Sequence, residues 1–289
     1  MSDRLEVRKT YKLAIGGAFP RSESGRTFEV RAHDGAFLAN AALASRKDLR
    51  DAVRAARGAQ PGWAAATAFN RGQVLHRVAE VLEGRRAQFV DELVALGGVD
   101  RAVADAEVSA SIDRWVWYAG WTDKFAQVAG SPNPVAGPFF NLTVPEPVGV
   151  VGIVAPERSA LLGLVSVVAP ALVPGNTVVV IASGHAPLPA VTLAEVLATS
   201  DLPGGVVNVL TGSSDELAPV LAGHLDVDAI DLTGLAGADV TALEVAAAED
   251  IKRVVRPPEA EPDWTVPPPG PARITALCDL KTVWHPKGT

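Results

Sequence analysis

The sequence predicts an α/β protein built on a doubly wound, Rossmann-like parallel sheet. From Val148 onward, short charge-free β-branched runs alternate with helical segments and brief loops. This is the pattern of strands buried on both faces and joined by crossover helices. Ahead of them, four helical segments follow one another with turn residues between, and the 289 residues, 48% of them hydrophobic, suffice for one large core or two smaller ones.

Two strand-like runs open the chain. Lys12 to Phe19 is followed by the turn residues Pro20, Ser22, Ser24 and Gly25; Arg26 to Ala32 alternates again, and Asp34-Gly35 is a hairpin signal. Ser45 with Asp48 three residues on resembles a capping box, after which Leu49, Val53 and Ala56 share a helix face that Pro61-Gly62 is expected to end. Leu75, Val78 and Leu82 mark a second amphipathic helix. A third runs from Arg85 to Leu96 and stops at Gly97-Gly98. A fourth is expected over Arg101 to Phe125, where Trp115, Trp117, Tyr118, Trp121 and Phe125 read as core or interface.

Phe139 to Val144 alternates like an exposed arm strand. The sheet pattern then follows: strands at Val148–Val154, Thr177–Ile181, Val206–Leu210 and Ala229–Leu232, with helices at Ser159–Leu172, Ala190–Ala198, Leu217–Ala222 and Val240–Ala248. Pro257 to Pro271 holds seven prolines and no apolar period, which predicts a stiff, extended linker. LKTVWH at its far side reads as a strand.

A formal net charge of −7 argues against a nucleic-acid or anionic-membrane partner. The apolar stretch Ser159 to Gly184 is cut by Pro170, Pro174, Gly175 and Asn176, which suits strand, buried helix and strand rather than a membrane span. The first ten residues carry no apolar leader, and the expected location is cytoplasmic. A single cysteine excludes a disulfide framework, and five scattered histidines without an H-x-x-x-H pair give no metal site. G-x-G-x-x-G, the phosphate loop G-x-x-x-x-G-K-[ST] and G-x-S-x-G are all absent. Cys278, followed by Asp279, reads as a small apolar residue and not as a nucleophile. These motifs yield no catalytic residue.

Several segments, in order, resemble the aldehyde dehydrogenase superfamily: SGRTFEV at Ser24–Val30, AVRAARGAQPGW at Ala52–Trp63, RWVWYAGWTDK at Arg114–Lys124, EPVGVVGIVAP and VAPALVPGNT within Glu146–Thr177, DLPGGVVNVLTG at Asp201–Gly212, and LKTVW at Leu280–Trp284. The resemblance implies a nucleotide-binding-type α/β domain over residues 1–136 and 148–250. It implies a small β oligomerisation arm from 137–147 and 279–289, with 251–278 a Pro-rich linker where the family has its catalytic domain and nucleophilic cysteine. The cofactor motifs have drifted. The family's Pro-Trp-Asn-Phe-Pro stands as Pro156-Glu157-Arg158-Ser159-Ala160, its Lys-Pro-(Ala/Ser)-Glu as Ile181-Ala182-Ser183-Gly184, and its Phe-Thr-Gly-Ser as Leu232-Thr233-Gly234-Leu235, with Asp239 replacing a small residue four positions later. Glu-Leu-Gly-Gly has no counterpart; Ile251–Arg256 stands where it should begin. Pro156, Thr233 and Gly234 are the vestigial cofactor-binding residues that the resemblance leaves.

Scaffold residues are thus kept while chemical ones are lost, which is what a structural descendant of an enzyme shows. The expected function is a non-catalytic subunit without a cofactor, joining a second copy or a full-length aldehyde dehydrogenase through the arm's unpaired edges. The alternative is an oxidoreductase using NAD or NADP at an altered or partner-completed site. A third reading is a binding module whose repurposed pocket Glu157, Arg158 and Asp239 line.

Overall fold

The computed structural model describes residues 7–268 and 270–288. Residues 1–6, 269 and 289, which the expected domain, linker and arm ranges include, lie outside the described residues. In chain order the elements are β1 (Thr10–Tyr11), β2 (Thr27–Arg31), β3 (Phe37–Ala42), α1 (Arg46–Ala65), α2 (Ala68–Gly84), α3 (Arg86–Gly97), α4 (Arg101–Ala119), α5 (Phe125–Ala129), β4 (Ser131–Pro132) and β5 (Phe139–Pro147). Then come β6 (Val150–Val154), α6 (Leu162–Leu172), β7 (Thr177–Ile181), α7 (Leu188–Ala198), β8 (Val207–Leu210), α8 (Ser214–Ala222) and β9 (Ala229–Asp231). A 3₁₀ turn (Thr233–Leu235), α9 (Thr241–Ala248), β10 (Arg253–Val255), α10 (Ala272–Thr275) and β11 (Cys278–Pro286) complete the chain.

The central sheet is parallel, in the order β10-β9-β6-β7-β8. Every residue of β6 and β7 is buried, and the two-residue strand period sorts them between two cores. Val151, Ile153, Val178 and Val180 belong to one core with α6 and, beyond it, α2 and α4, whereas Val150, Val154, Val179 and Ile181 belong to the other with α1 and α8. Gly152 marks a close approach: a Cβ there would come within 2.6 Å of the Leu221 side chain on α8. A second sheet, β1-β3-β2, closes over Leu188 and Val191 of α7. The arm is the third, with β5 antiparallel between β11 and β4.

The doubly wound sheet is as expected, and four local differences have physical causes. Pro61 lies inside α1, which continues to Ala65. The extra turn buries Trp63, whose Nε1 donates to the Leu172 carbonyl at 3.1 Å, and this offsets the hydrogen bond that proline removes. The run Lys12–Phe19 is not a continuous strand, because Gly16 and Gly17 turn it with φ of +64° and +81° and Ile15 pairs with Ala18. The fourth helix stops at Ala119 instead of Phe125; the Thr122 hydroxyl donates to the Ala119 carbonyl in the turn that follows. The largest difference falls on 251–278, expected as a linker. It adds β10 to the sheet beside β9, forms α10, and buries Trp264 to 7% exposure in the main core. Trp264 and Ile274 supply the apolar anchors that a count of prolines does not reveal.

Among the described residues no helix is long and apolar enough to cross a membrane. Of the α4 aromatic cluster, Trp115 and Tyr118 are buried, as is Phe125 opening α5; Trp117 and Trp121 pack partly buried against the core. The expected capping box is present: Ser45 accepts from Asp48 N at 3.2 Å and Asp48 accepts from Ser45 N at 2.8 Å. Burial pushes the Asp48 carboxyl up, but hydrogen bonds from the Ser45 and Glu23 amides and the Ser22 hydroxyl hold it below the usual carboxylate range. Ser45→Ala is expected to cost about 1 kcal/mol in urea unfolding. A carboxyl depressed in the folded state contributes stability above its unfolded pKa and loses it as pH falls through the folded value. Asp48→Asn should therefore flatten the acid limb of the stability–pH curve, while leaving neutral-pH stability lower than wild type.

Candidate functional site

In an open parallel sheet, ligands meet the carboxyl ends of the strands where the strand order reverses. Here β6 leads to β7 on one side while β9 returns on the other, so the crevice lies between β6 and β9. All three vestigial residues are beside it. Pro156 follows β6 and is buried. Thr233 and Gly234 follow β9.

Their contacts are internal. Thr233 donates from its amide at 2.9 Å and its hydroxyl at 2.5 Å to Asp231 Oδ1. A Cβ on Gly234 would come within 2.1 Å of the Ala155 carbonyl oxygen. Glycine is needed there for the loop to pass the end of β6. Asp231 is fully buried; burial raises its carboxyl pKa, against the opposing effects of Arg273 and Thr233.

Several donors of this edge are taken by carboxylates. Helix N-termini carry unpaired N–H groups and the positive end of the helix dipole, which makes them anion sites when left open. At α6, Glu107 Oε1 accepts from the Ser159 hydroxyl at 2.9 Å, Leu162 N at 3.1 Å and Leu161 N at 3.4 Å. In the loop after β7, Glu157 accepts from the Ser183 hydroxyl at 2.6 Å, Gly184 N at 3.1 Å and His185 N at 3.3 Å. Before α9, Asp239 Oδ1 accepts from Thr241 N at 3.0 Å. That backbone hydrogen bond, with the Thr241 hydroxyl, holds its carboxyl below the usual range. In the loop after β6, Arg158 N donates to Glu261 Oε2 at 3.0 Å while the Arg158 residue itself is exposed. The three residues that the binding-module reading places in one pocket are separated by role: Glu157 ties two loops, Asp239 accepts at the start of α9, and Arg158 contributes its amide.

A dinucleotide needs open N–H groups for its pyrophosphate and polar side chains for its ribose. Several donors that such a ligand would meet are engaged by Glu107, Glu157 and Asp239. Ser183, in the loop after β7, gives its hydroxyl to Glu157. Two like charges about 4 Å apart at an effective dielectric near 20 repel by about 4 kcal/mol, so each carboxylate also opposes a phosphate beside it. Glu107 and Glu261 were not evident as sequence signals. Glu107 sits one turn from the buried Ala104 and Ser111, a charge bordering an otherwise covered helix face. Cys278 is buried, donates to the Ile274 carbonyl at 3.2 Å, and is pushed up to about 12 by burial, against a smaller lowering effect from Arg253. Among the described residues, no three His, Cys, Asp or Glu side chains converge as a metal site would need.

The parallel sheet and its strand order define a Rossmann-like α/β domain of the nucleotide-binding type. The chain belongs to the aldehyde dehydrogenase family, whose model matches residues 19–256. It is 34% identical over 260 residues to a cytosolic 10-formyltetrahydrofolate dehydrogenase of Pongo abelii, covering 87% of this chain and 28% of that protein. It is 32% identical to aldehyde dehydrogenase, cytosolic 1, of Elephantulus edwardii, covering 86% and 50%. An NAD+ complex of aldehyde dehydrogenase from Bacillus cereus superposes with a TM-score of 0.78 at 30% identity, covering 85% of this chain and 50% of that one. The chain thus spans half or less of these relatives.

Hydrogen bonds to a charged acceptor are worth about 1.5–3 kcal/mol. Glu157→Ala, which leaves the buried Ser183 hydroxyl without its acceptor and the exposed Gly184 and His185 amides to water, is expected to lower unfolding free energy by about 1 kcal/mol in urea titration. Glu157→Gln, which keeps a carbonyl acceptor, should lose less.

Proposed function

We propose that this chain is a non-catalytic, aldehyde-dehydrogenase-like subunit that assembles with a second copy of itself or with a full-length aldehyde dehydrogenase. The observation that carries this reading is the closed set of carboxylate contacts at the sheet's carboxyl edge, made by Glu107, Glu157, Asp239 and Glu261. The arm supports the assembly. β5 and β11 pair over nine residues each, and Phe140, Leu280, Val283 and Trp284 stay about half exposed on them. Apolar residues exposed on such an arm gain by burial against another chain. The reading keeps the chain cytoplasmic and apart from nucleic acid and membranes, in line with its charge of −7.

The second reading is an NAD- or NADP-dependent oxidoreductase with an altered or partner-completed site. The NAD+ complex of the Bacillus cereus relative is the observation in its favour. Calorimetric titration separates the two. No binding of NAD or NADP below about 1 mM is expected, which is about −4.1 kcal/mol or weaker; micromolar affinity would favour the oxidoreductase. Sedimentation should give a dimer or larger species, or a joint boundary with a full-length aldehyde dehydrogenase, and Trp284→Asp with Leu280→Asp should shift it toward monomer. A wild-type monomer that ignores the enzyme counts against the subunit reading.

A further inference from the structure

Residues 257–268 cross the crevice between β6 and β9 and are held on both sides. On the β9 side, the Pro258 carbonyl accepts from Gly237 N at 3.1 Å. On the β6 side, Glu261 accepts from Arg158 N at 3.0 Å with one oxygen and from Trp264 Nε1 at 2.9 Å with the other. The Trp264 indole lies against the first turn of α6, where a Cβ on Gly163 would meet its Nε1 at 3.1 Å and Pro156 at 3.0 Å. From α4, the buried Arg114 guanidinium donates to the Trp264 carbonyl at 2.8 Å, the Val266 carbonyl at 3.3 Å and the Ser166 hydroxyl. Beyond the segment, Arg273 stacks over the Trp264 ring at 5.0 Å and pairs with Asp231 of β9 at 3.6 Å.

These contacts come from four elements and converge on the place where a doubly wound sheet takes its ligand. A flexible linker makes no such set. Its carbonyls face water and its aromatic residue is exposed, whereas here a buried guanidinium is spent on two main-chain carbonyls of the segment. We propose that residues 257–268 form a strap that covers the β6 side of the switch-point crevice and closes that side to small molecules, with Trp264 as the plug and Arg114 as the clamp. This goes beyond the subunit reading, since it concerns entry to the sheet edge whichever partner the arm meets.

The test uses the full chain, with hydrogen exchange at the Arg158 and Gly237 amides and binding of the apolar dye anilinonaphthalene sulfonate. In the wild type both amides exchange slowly and the dye does not bind. In Trp264→Ala both are expected to exchange about tenfold faster or more, as expected for loss of about 1.4 kcal/mol of local closure. Dye fluorescence should rise, while the Val151 and Val179 amides inside the sheet keep their protection. Should that variant fail to fold, Glu261→Gln, which weakens the β6-side contact, is expected to speed Arg158 exchange about tenfold with the sheet protected. Unchanged exchange and no dye binding in a folded variant, or fast exchange of both amides in the wild type, would overturn the strap. Loss of arm-mediated assembly alone leaves these amides unchanged, so the two readings fail separately.

Discussion

The constraint on which this structure turns is the row of amide groups where parallel strands end and helices begin. Such groups cannot be buried without acceptors. An enzyme can leave some of them open for an anionic ligand. In this chain Glu107, Glu157, Asp239 and Glu261 take them instead. Each contact is ordinary, of the kind that caps helices and pins loops. Together they engage several donors of this edge within the chain itself.

The region after β10 continues that logic. Ending the sheet domain at Arg256 would leave the end of β6, the first turn of α6 and Arg114 facing water. The strap covers them with one indole and a few main-chain carbonyls. Arg114 of α4 is buried and holds the strap at two points. Arg273 closes the far end by meeting both Trp264 and Asp231.

Much of this was legible in the residues. Thr177–Ile181 spans the same residues in sequence and structure, because a β-branched run between Asn176 and Ala182-Ser183-Gly184 leaves little choice. The capping box at Ser45 and the stop at Gly98 were equally local. What escaped depends on contacts distant in sequence. Pro61 stays helical because Trp63 finds the Leu172 carbonyl, and β10 is a strand only because β9 lies beside it. The roles of Glu107 and Glu261 rest on partners roughly fifty and a hundred residues away. The drift at Glu157 and Asp239 was visible as lost motif residues, but the acceptor role that each assumes required the folded loops.

Five prolines stand between positions 257 and 268, and they explain how so few contacts hold so long a segment. Ordering a residue costs about 1–2 kcal/mol of backbone conformational entropy. Proline has already surrendered part of that freedom in the unfolded chain, an advantage of about 0.4–1 kcal/mol at each compatible site. The cover is stiff before it docks, so a modest set of contacts suffices to keep it in place. Exchanging those prolines for alanine would loosen it without removing a single side-chain contact described above.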